Sequence, residues 1–226
     1  MTVAAVFSMA GIIIVHCTLY IAMKGGEVVE ITEKDLEVIN SMSSKTLTKD
    51  DIFAFRVVAC DNQIDRDMER FDDAALAEMA GMYVGKTILK DHRPETDNQS
   101  ARIYRAEVAD GENGFKQLIV YAYVPRIDSM KDFIEQVETG VKKEVSVGCS
   151  VKERACSICG KRVDYCEHRL GKSYEGKMCY GVLKGIQDVY EISCVAVPAQ
   201  KNVQRAFRKN LFPEFRGLVS ERLLER

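Results

Sequence analysis

Several residue types are scarce in this sequence of 226 residues, and each scarcity narrows the possibilities. Tryptophan is absent and proline occurs four times, which argues against a proline-rich linker and for a compact fold. Net charge is also small, because 34 acidic residues oppose 32 Lys and Arg residues. Such a chain has no global attraction for nucleic acid or for an anionic membrane. Its 46% hydrophobic content is sufficient for a sizeable core.

Charge is uneven along the chain. Residues 201–226 hold seven Lys and Arg residues against three acidic ones, and we assign 206–226 as a basic C-terminal tail whose last stretch is predicted to be helical. Only this part of the chain could attract an acidic partner by charge alone. No nucleic-acid partner is expected.

Charged side chains are missing from one stretch near the N-terminus. Residues 2–23 contain no Asp, Glu, Lys or Arg, and this length is close to the ~20 residues that a membrane-spanning helix needs. Residues 1–22 are therefore interpreted either as a membrane anchor or as an upstream extension of a protein that begins at Met23. The second interpretation is favoured because nothing downstream requires a membrane. It predicts that a chain starting at Met23 folds and acts like the whole chain.

Histidine is scarce and cysteine is clustered. Only His16, His92 and His168 could supply imidazole chemistry. Four of the eight cysteines lie within a span of 24 residues at metal-ligand spacing, which fits a reducing compartment better than a disulfide scaffold.

The cysteine cluster predicts one structural zinc ion. Cys156 and Cys159 form a C-x2-C pair, and Cys166 and His168 follow. These four are the expected ligands, with Cys179 as the alternative to His168. A closed set of thiolates leaves no open coordination position, which disfavours a zinc hydrolase. Two other interpretations remain, namely reduced cysteines without metal and a nucleic-acid-binding zinc knuckle.

Hydrophobic patterning predicts a mostly β fold with a few helices. We assign residues 23–50 to an N-terminal segment and 51–205 to the main domain, with a metal-binding insertion at 153–181. The expected elements are a strand at 52–60, a helix at 74–84 capped by Asp72 or Asp73, a hairpin closed near 110–114, a helix at 130–139 with a Ser129–Asp132 capping box, and strands at 144–151 and 188–199.

Three residues are candidates for nucleophilic catalysis. His92 ends a strand and enters a polar loop, where functional side chains are often displayed. Ser146 lies on a predicted strand just before Gly148, and Glu191 is a carboxylate among apolar strand residues. A serine hydroxyl needs a base to remove its proton and a third group to orient that base. Ser150 and Cys149 are rival nucleophiles, and Cys149 is the weaker because alternation places it on the opposite face of the strand.

Four segments in this order resemble the prohead (capsid maturation) serine proteases of tailed phages, which are related to the herpesvirus assemblin proteases. The segments are DRDMERF, ILKDH, EVSVGCSV and EISCVAVPAQKN. The resemblance implies that His92 is the base, Ser146 the nucleophile and Glu191 the orienting acid. It also implies a closed or nearly closed, mostly antiparallel β-barrel with surrounding helices (α+β). The zinc-stapled insertion departs from minimal family members, and assemblins use a histidine as the third residue.

The resemblance further implies a function and a location. The expected activity is endoproteolysis of scaffold and major capsid proteins through an acyl-enzyme, inside an immature capsid in the host cytoplasm, with a homodimer expected by analogy. The alternative is a noncatalytic zinc-bearing structural or nucleic-acid-binding component of a phage particle. A membrane partner is expected only if residues 1–22 are a true anchor.

Overall fold

The computed structural model describes residues 13–19, 27–111 and 114–196, and for 13–19 and 27–28 it describes the backbone alone. The helices are α1 (Glu33–Ser41), α2 (Asp73–Tyr83) and α3 (Lys131–Glu138). The strands are β1 (Ile13–Leu19), β2 (Glu27–Val28), β3 (Ile52–Asp61), β4 (Glu69–Phe71), β5 (Thr87–Lys90), β6 (Ala101–Asp110), β7 (Lys116–Pro125), β8 (Val145–Cys156), β9 (Ser173–Tyr174), β10 (Lys177–Met178) and β11 (Gly181–Cys194). The predicted mostly β, α+β fold class is confirmed.

A curled sheet of nine strands forms the body of the fold, and β9 and β10 pair with each other in a separate two-stranded sheet. The order of the nine-stranded sheet is β1-β8-β11-β5-β6-β7-β3-β2, and β4 pairs with β11 beside this path. β11 runs parallel to β4 and β5 and antiparallel to β8, so the sheet is mixed. The sheet curls far enough for β3 to contact both β1 and β8 from its opposite end. The result is a nearly closed barrel.

The interior of this barrel is apolar. Its largest fully buried side chains include Phe53, Phe55, Phe71, Tyr83, Tyr104 and Leu118. Burial of each such side chain contributes roughly 1.5–3 kcal/mol. The predicted hairpin around 110–114 is present, since β6 and β7 pair from Asp110↔Lys116 onwards.

The helix starts show one correct and one wrong prediction. The Asp72 carboxylate accepts a hydrogen bond from Ala75 N at 2.8 Å and caps α2, as expected. The capping box predicted for α3 at Ser129 and Asp132 is wrong. A 3₁₀ turn at Asp128–Met130 runs directly into this helix, and the Asp128 carbonyl accepts from Lys131 N. Backbone therefore satisfies the donor at this position, and Met130 is the N-cap.

Part of the apolar N-terminal segment lies in the sheet. β1 pairs with β8 from Ile13↔Val151 to Leu19↔Val145 without a register shift. No helix in the described part of the chain is long and apolar enough to cross a membrane. Residues 1–12 and 20–26, and the basic tail, lie outside the described residues. A chain that starts at Met23 would lack β1.

Candidate active site

Side chains of strand β8 point alternately into the core and to the opposite face, which carries the candidate nucleophile. Its side chains at 145, 147, 149 and 151 belong to the hydrophobic core. Because successive strand residues point to opposite faces, Ser146, Gly148 and Ser150 share the other face. This is the alternation predicted from the sequence.

Pairing with β11 brings the candidate acid onto the same face. Ser193 lies opposite Ser146, and Glu191 lies opposite Gly148. Residues directly opposite each other in an antiparallel pair have Cβ atoms about 4.5–5.5 Å apart on one face. The sheet therefore gathers Ser146, Glu191 and Ser193 into one small polar area.

The loop after β5 delivers His92 to this area. His92 Nδ1 lies 2.8 Å from Glu191 Oε1. The loop is anchored because Asp91 N donates to the Cys194 carbonyl at 2.9 Å. Asp91 and His92 both have positive φ, at 55° and 52°. Non-glycine residues adopt this left-handed region at a cost of ~1–3 kcal/mol each, and such residues cluster at functional sites.

Ser193 is a site residue that the sequence analysis missed. Its Oγ accepts a hydrogen bond from His92 N at 3.0 Å and donates one to Glu191 Oε2 at 2.5 Å. Ser193 thus holds both the loop that carries His92 and the carboxylate that His92 contacts. Strand alternation was the available signal, because it places Ser193 on the same face as Glu191.

The site is largely withdrawn from solvent. Ser146 is 0% exposed and Glu191 is 8% exposed, whereas the His92 side chain is 23% exposed. A buried carboxylate is stable only with hydrogen-bonding or charged partners. His92 and Ser193 supply them on the two oxygens of Glu191.

The rival nucleophiles are less favourably placed. Burial, with a smaller effect of the Glu191 charge, raises the pKa of Cys149 to about 12, so this thiol stays protonated near neutral pH, and the thiolate is the nucleophilic form. Ser150 Oγ is buried and makes no hydrogen bond to any described group.

A second cluster lies at the other end of β8 and β11. The ligand atoms of Cys156, Cys159, Cys166 and His168 all lie within 4.8 Å of one another, which is close enough to bind a metal ion. Cys179 is nearby, with its Sγ 3.7 Å from Cys156 Sγ. Two thiolates bound tetrahedrally at ~2.3 Å from zinc are about this far apart. His168 Nδ1 is buried and has no hydrogen-bond partner among the described residues, as expected for an atom aimed at an ion.

Local backbone geometry favours the thiolate form of Cys156. Burial opposes ionisation, but hydrogen bonds from the backbone N–H groups of Cys159 and Ile158 lower the pKa of Cys156 to about 6. Gly160 closes this knuckle at a φ of 72°. Thiolates are the metal-binding form of cysteine, so the knuckle is prepared for a cation.

An ion-pair network fastens the insertion to the barrel. Arg154 contacts Glu69 at 2.6 Å and Asp164 at 3.2 Å. Burial raises the pKa of Glu69, and the Arg154 guanidinium opposes that rise. The network joins β4, β8 and the cysteine-rich loop.

Comparison with known proteins gives structural likeness without a sequence match. No protein-family model matches the chain, and no curated protein matches it significantly. The solved structure of the bacteriophage T4 capsid assembly protease, gp21, is similar over 81% of this chain and 98% of that one, with 10% sequence identity and a TM-score of 0.49.

Proposed function

We propose that the chain is a prohead maturation serine endopeptidase in which Ser146, His92 and Glu191 form a catalytic triad. The observation that carries this proposal is the hydrogen bond of His92 Nδ1 to Glu191 Oε1 on the sheet face that also bears Ser146. A base oriented by a carboxylate beside a serine is the arrangement that activates a hydroxyl nucleophile.

The proposed mechanism requires one tautomer of His92. In it, Glu191 accepts from Nδ1–H, and the basic lone pair of His92 lies on Nε2. Nε2 takes the proton of Ser146 as Oγ attacks the scissile carbonyl. The imidazolium then protonates the leaving amine as the C–N bond breaks. His92 next accepts a proton from water, which attacks the acyl-enzyme and releases the product. Backbone amides near the nucleophile would hold the oxyanion.

The substrates we propose are the scaffold and major capsid proteins of the immature capsid, with the enzyme enclosed among them and acting as a homodimer. The burial of Ser146 supports control of this activity by assembly, because a nucleophile that is 0% exposed cannot meet a protein substrate without a local rearrangement. Such control would prevent cleavage before the particle is complete.

We propose that the ion bound by the cysteine cluster is zinc in a structural role. Cys156, Cys159, Cys166 and His168 would hold it, with Cys179 as the alternative to His168. Sulfur and imidazole ligands suit zinc, and four protein ligands leave no position for a substrate. Zinc would fasten a loop that has few apolar side chains of its own.

The test of the protease proposal is cleavage during co-expression with the scaffold and major capsid proteins. Ser146→Ala and His92→Ala should each abolish nearly all cleavage, by up to ~10⁶-fold, and the double variant should cost little more. Glu191→Gln should be milder, because the base remains but is poorly oriented. Ser150→Ala is the matched control and should cleave normally. A serine-directed phosphonate should label Ser146.

Two outcomes would contradict the proposal in different ways. Continued cleavage and labelling in Ser146→Ala would assign the role of nucleophile to Ser150 or Cys149. If no form of the protein cleaves or reacts with the phosphonate, yet it binds capsid protein or nucleic acid stoichiometrically, the chain is the noncatalytic zinc-bearing component.

A further inference from the structure

The edge of β8 beside the candidate nucleophile is already occupied by the chain itself. β8 pairs with β11 on one side and with β1 on the other. Position 18 of β1 lies opposite Ser146, and position 16 lies opposite Gly148. β1 is the last strand at this end of the described sheet, so one neighbour holds it by main-chain ladder bonds.

An extended segment at this place has the form of a peptide substrate. Peptides commonly bind by adding a strand to an exposed sheet edge, where main-chain hydrogen bonds supply affinity. β1 is antiparallel to β8 over seven residues and crosses the strand at Ser146. The same edge cannot pair with β1 and with another strand at once.

We propose that β1 occupies the docking edge for substrate on β8 and must leave before an extended segment of a capsid or scaffold protein can bind there. This inference rests on the proposed function. The complete burial of Ser146 is the second observation that supports it. β1 would be an internal competitor that keeps the enzyme closed until a substrate segment displaces it.

Withdrawal of β1 would leave β8 at the edge of the described sheet. An uncovered β-sheet edge attracts other strands. Loss of β1 should therefore uncover an edge that binds extended peptides, substrate included. Under this proposal, a chain that starts at Met23 would differ from the whole chain in its reactivity.

The experiment compares the whole chain with a chain that starts at Met23. We expect phosphonate labelling of Ser146 to be at least roughly tenfold faster in the shorter chain, a factor that corresponds to about 1.4 kcal/mol of lost strand pairing. A synthetic peptide with the sequence of residues 13–19, carrying terminal lysines for solubility, should slow this labelling in a dose-dependent way. A peptide with the same residues in scrambled order should not.

A whole-chain variant covers the case in which the shorter chain fails to fold. Val15→Pro combined with His16→Pro removes two successive N–H groups, one of which faces β8 in any strand. This variant should be labelled faster than the native chain. Ala4→Pro combined with Ala5→Pro, which lies outside β1, is the matched control and should be labelled at the native rate.

The outcomes separate this inference from the proposed function. Equal labelling of Ser146 in the native chain, the shorter chain and the Val15/His16 variant, with no effect of the peptide, would overturn the inference and leave the protease in place. Slower labelling on loss of β1 in a folded protein would also overturn it, since β1 would then support the site. Absence of labelling and cleavage in every form would overturn the proposed function itself.

Discussion

The Glu191 carboxylate lies directly over Gly148, so that a Cβ atom at position 148 would collide with Glu191 Oε1. The two residues are cross-strand partners in the β8–β11 pair. Oε1 is the oxygen that contacts His92 Nδ1. A side chain at position 148 would therefore displace the carboxylate that contacts His92.

Gly148→Ala should impair cleavage more than it impairs folding. The added methyl group must push Glu191 away, which separates the carboxylate from His92, and we expect cleavage to fall by roughly 10²–10⁴-fold, as when a triad acid is lost. The measurement is the cleavage rate beside the thermal midpoint. Gly81→Ala is the control, because a Cβ at this helix position meets nothing within 4 Å. It should keep native cleavage and gain about 0.5–1 kcal/mol of stability. Native cleavage by Gly148→Ala would show that Glu191 does not orient His92.

Ser193→Ala tests the positioning residue found between His92 and Glu191. The variant loses one hydrogen bond to each of them, and we expect kcat to fall by roughly 10–100-fold while Ser146 is still labelled. Ser193→Thr retains the hydroxyl and should restore most of the rate. Equal rates for the Ala and Thr variants would contradict a role for this hydroxyl.

Metal analysis of the purified protein should give about one zinc per chain. Cys159→Ser should release the metal and lower the thermal midpoint and the protease resistance of the insertion before it affects cleavage. His168→Ala should also release metal, whereas Cys179→Ser should retain it. The reverse result for the last two would make Cys179 the fourth ligand. Protein that melts identically with and without metal would contradict a structural role.

Tyr104→Phe should stabilise the protein and alter its alkaline unfolding. Tyr104 Oη is buried without a hydrogen-bond partner in the described part of the chain, so its removal should add about 1 kcal/mol to the free energy of unfolding. Burial, assisted by the Asp35 charge, raises the pKa of Tyr104 from 10 to about 12. Because the pKa of Tyr104 is higher in the folded protein than in the unfolded chain, its ionisation does not affect the free energy of unfolding below pH 10. That free energy falls as the pH rises from 10 towards 12.

Tyr121→Phe is the comparison for the effect of Tyr104→Phe near neutral pH. Tyr121 donates a hydrogen bond to Glu107 at 2.7 Å, so its loss should lower stability near neutral pH. Urea unfolding at pH values from 7 to about 11 measures both variants. A Tyr104→Phe protein with an unchanged decline above pH 10 would assign that decline to other groups.

The pattern of residue types over a few neighbouring positions was sufficient to predict much of the fold. Alternation along β8 separates Ser146 from Cys149, and the glycine-bearing loop between β6 and β7 marks their hairpin. Both features depend on neighbours in sequence. The Asp72 cap is predictable for the same reason, since the carboxylate and its partner are three residues apart.

Features that depend on strands distant in sequence were not predictable. The pairing of β1 with β8 joins residues more than 120 positions apart, and an apolar run alone resembles an anchor. The bridge from Ser193 to His92 spans 101 positions. Nothing near Ser129 shows that a 3₁₀ turn would supply the start of α3 through backbone groups. The choice between His168 and Cys179 is likewise one of distance in space.

The long β8–β11 pair carries the candidate active site at one end and the cysteine cluster at the other. Ser146 lies near the start of β8 and Cys156 ends it, ten residues apart, or ~33 Å at the usual rise of a strand. The whole insertion hangs from the far tip of this pair, where Cys156 faces Gly181. The insertion can therefore be exchanged. A shorter loop, a different metal-binding module or a fluorescent reporter could replace residues 157–180 without changing the residues that surround Ser146.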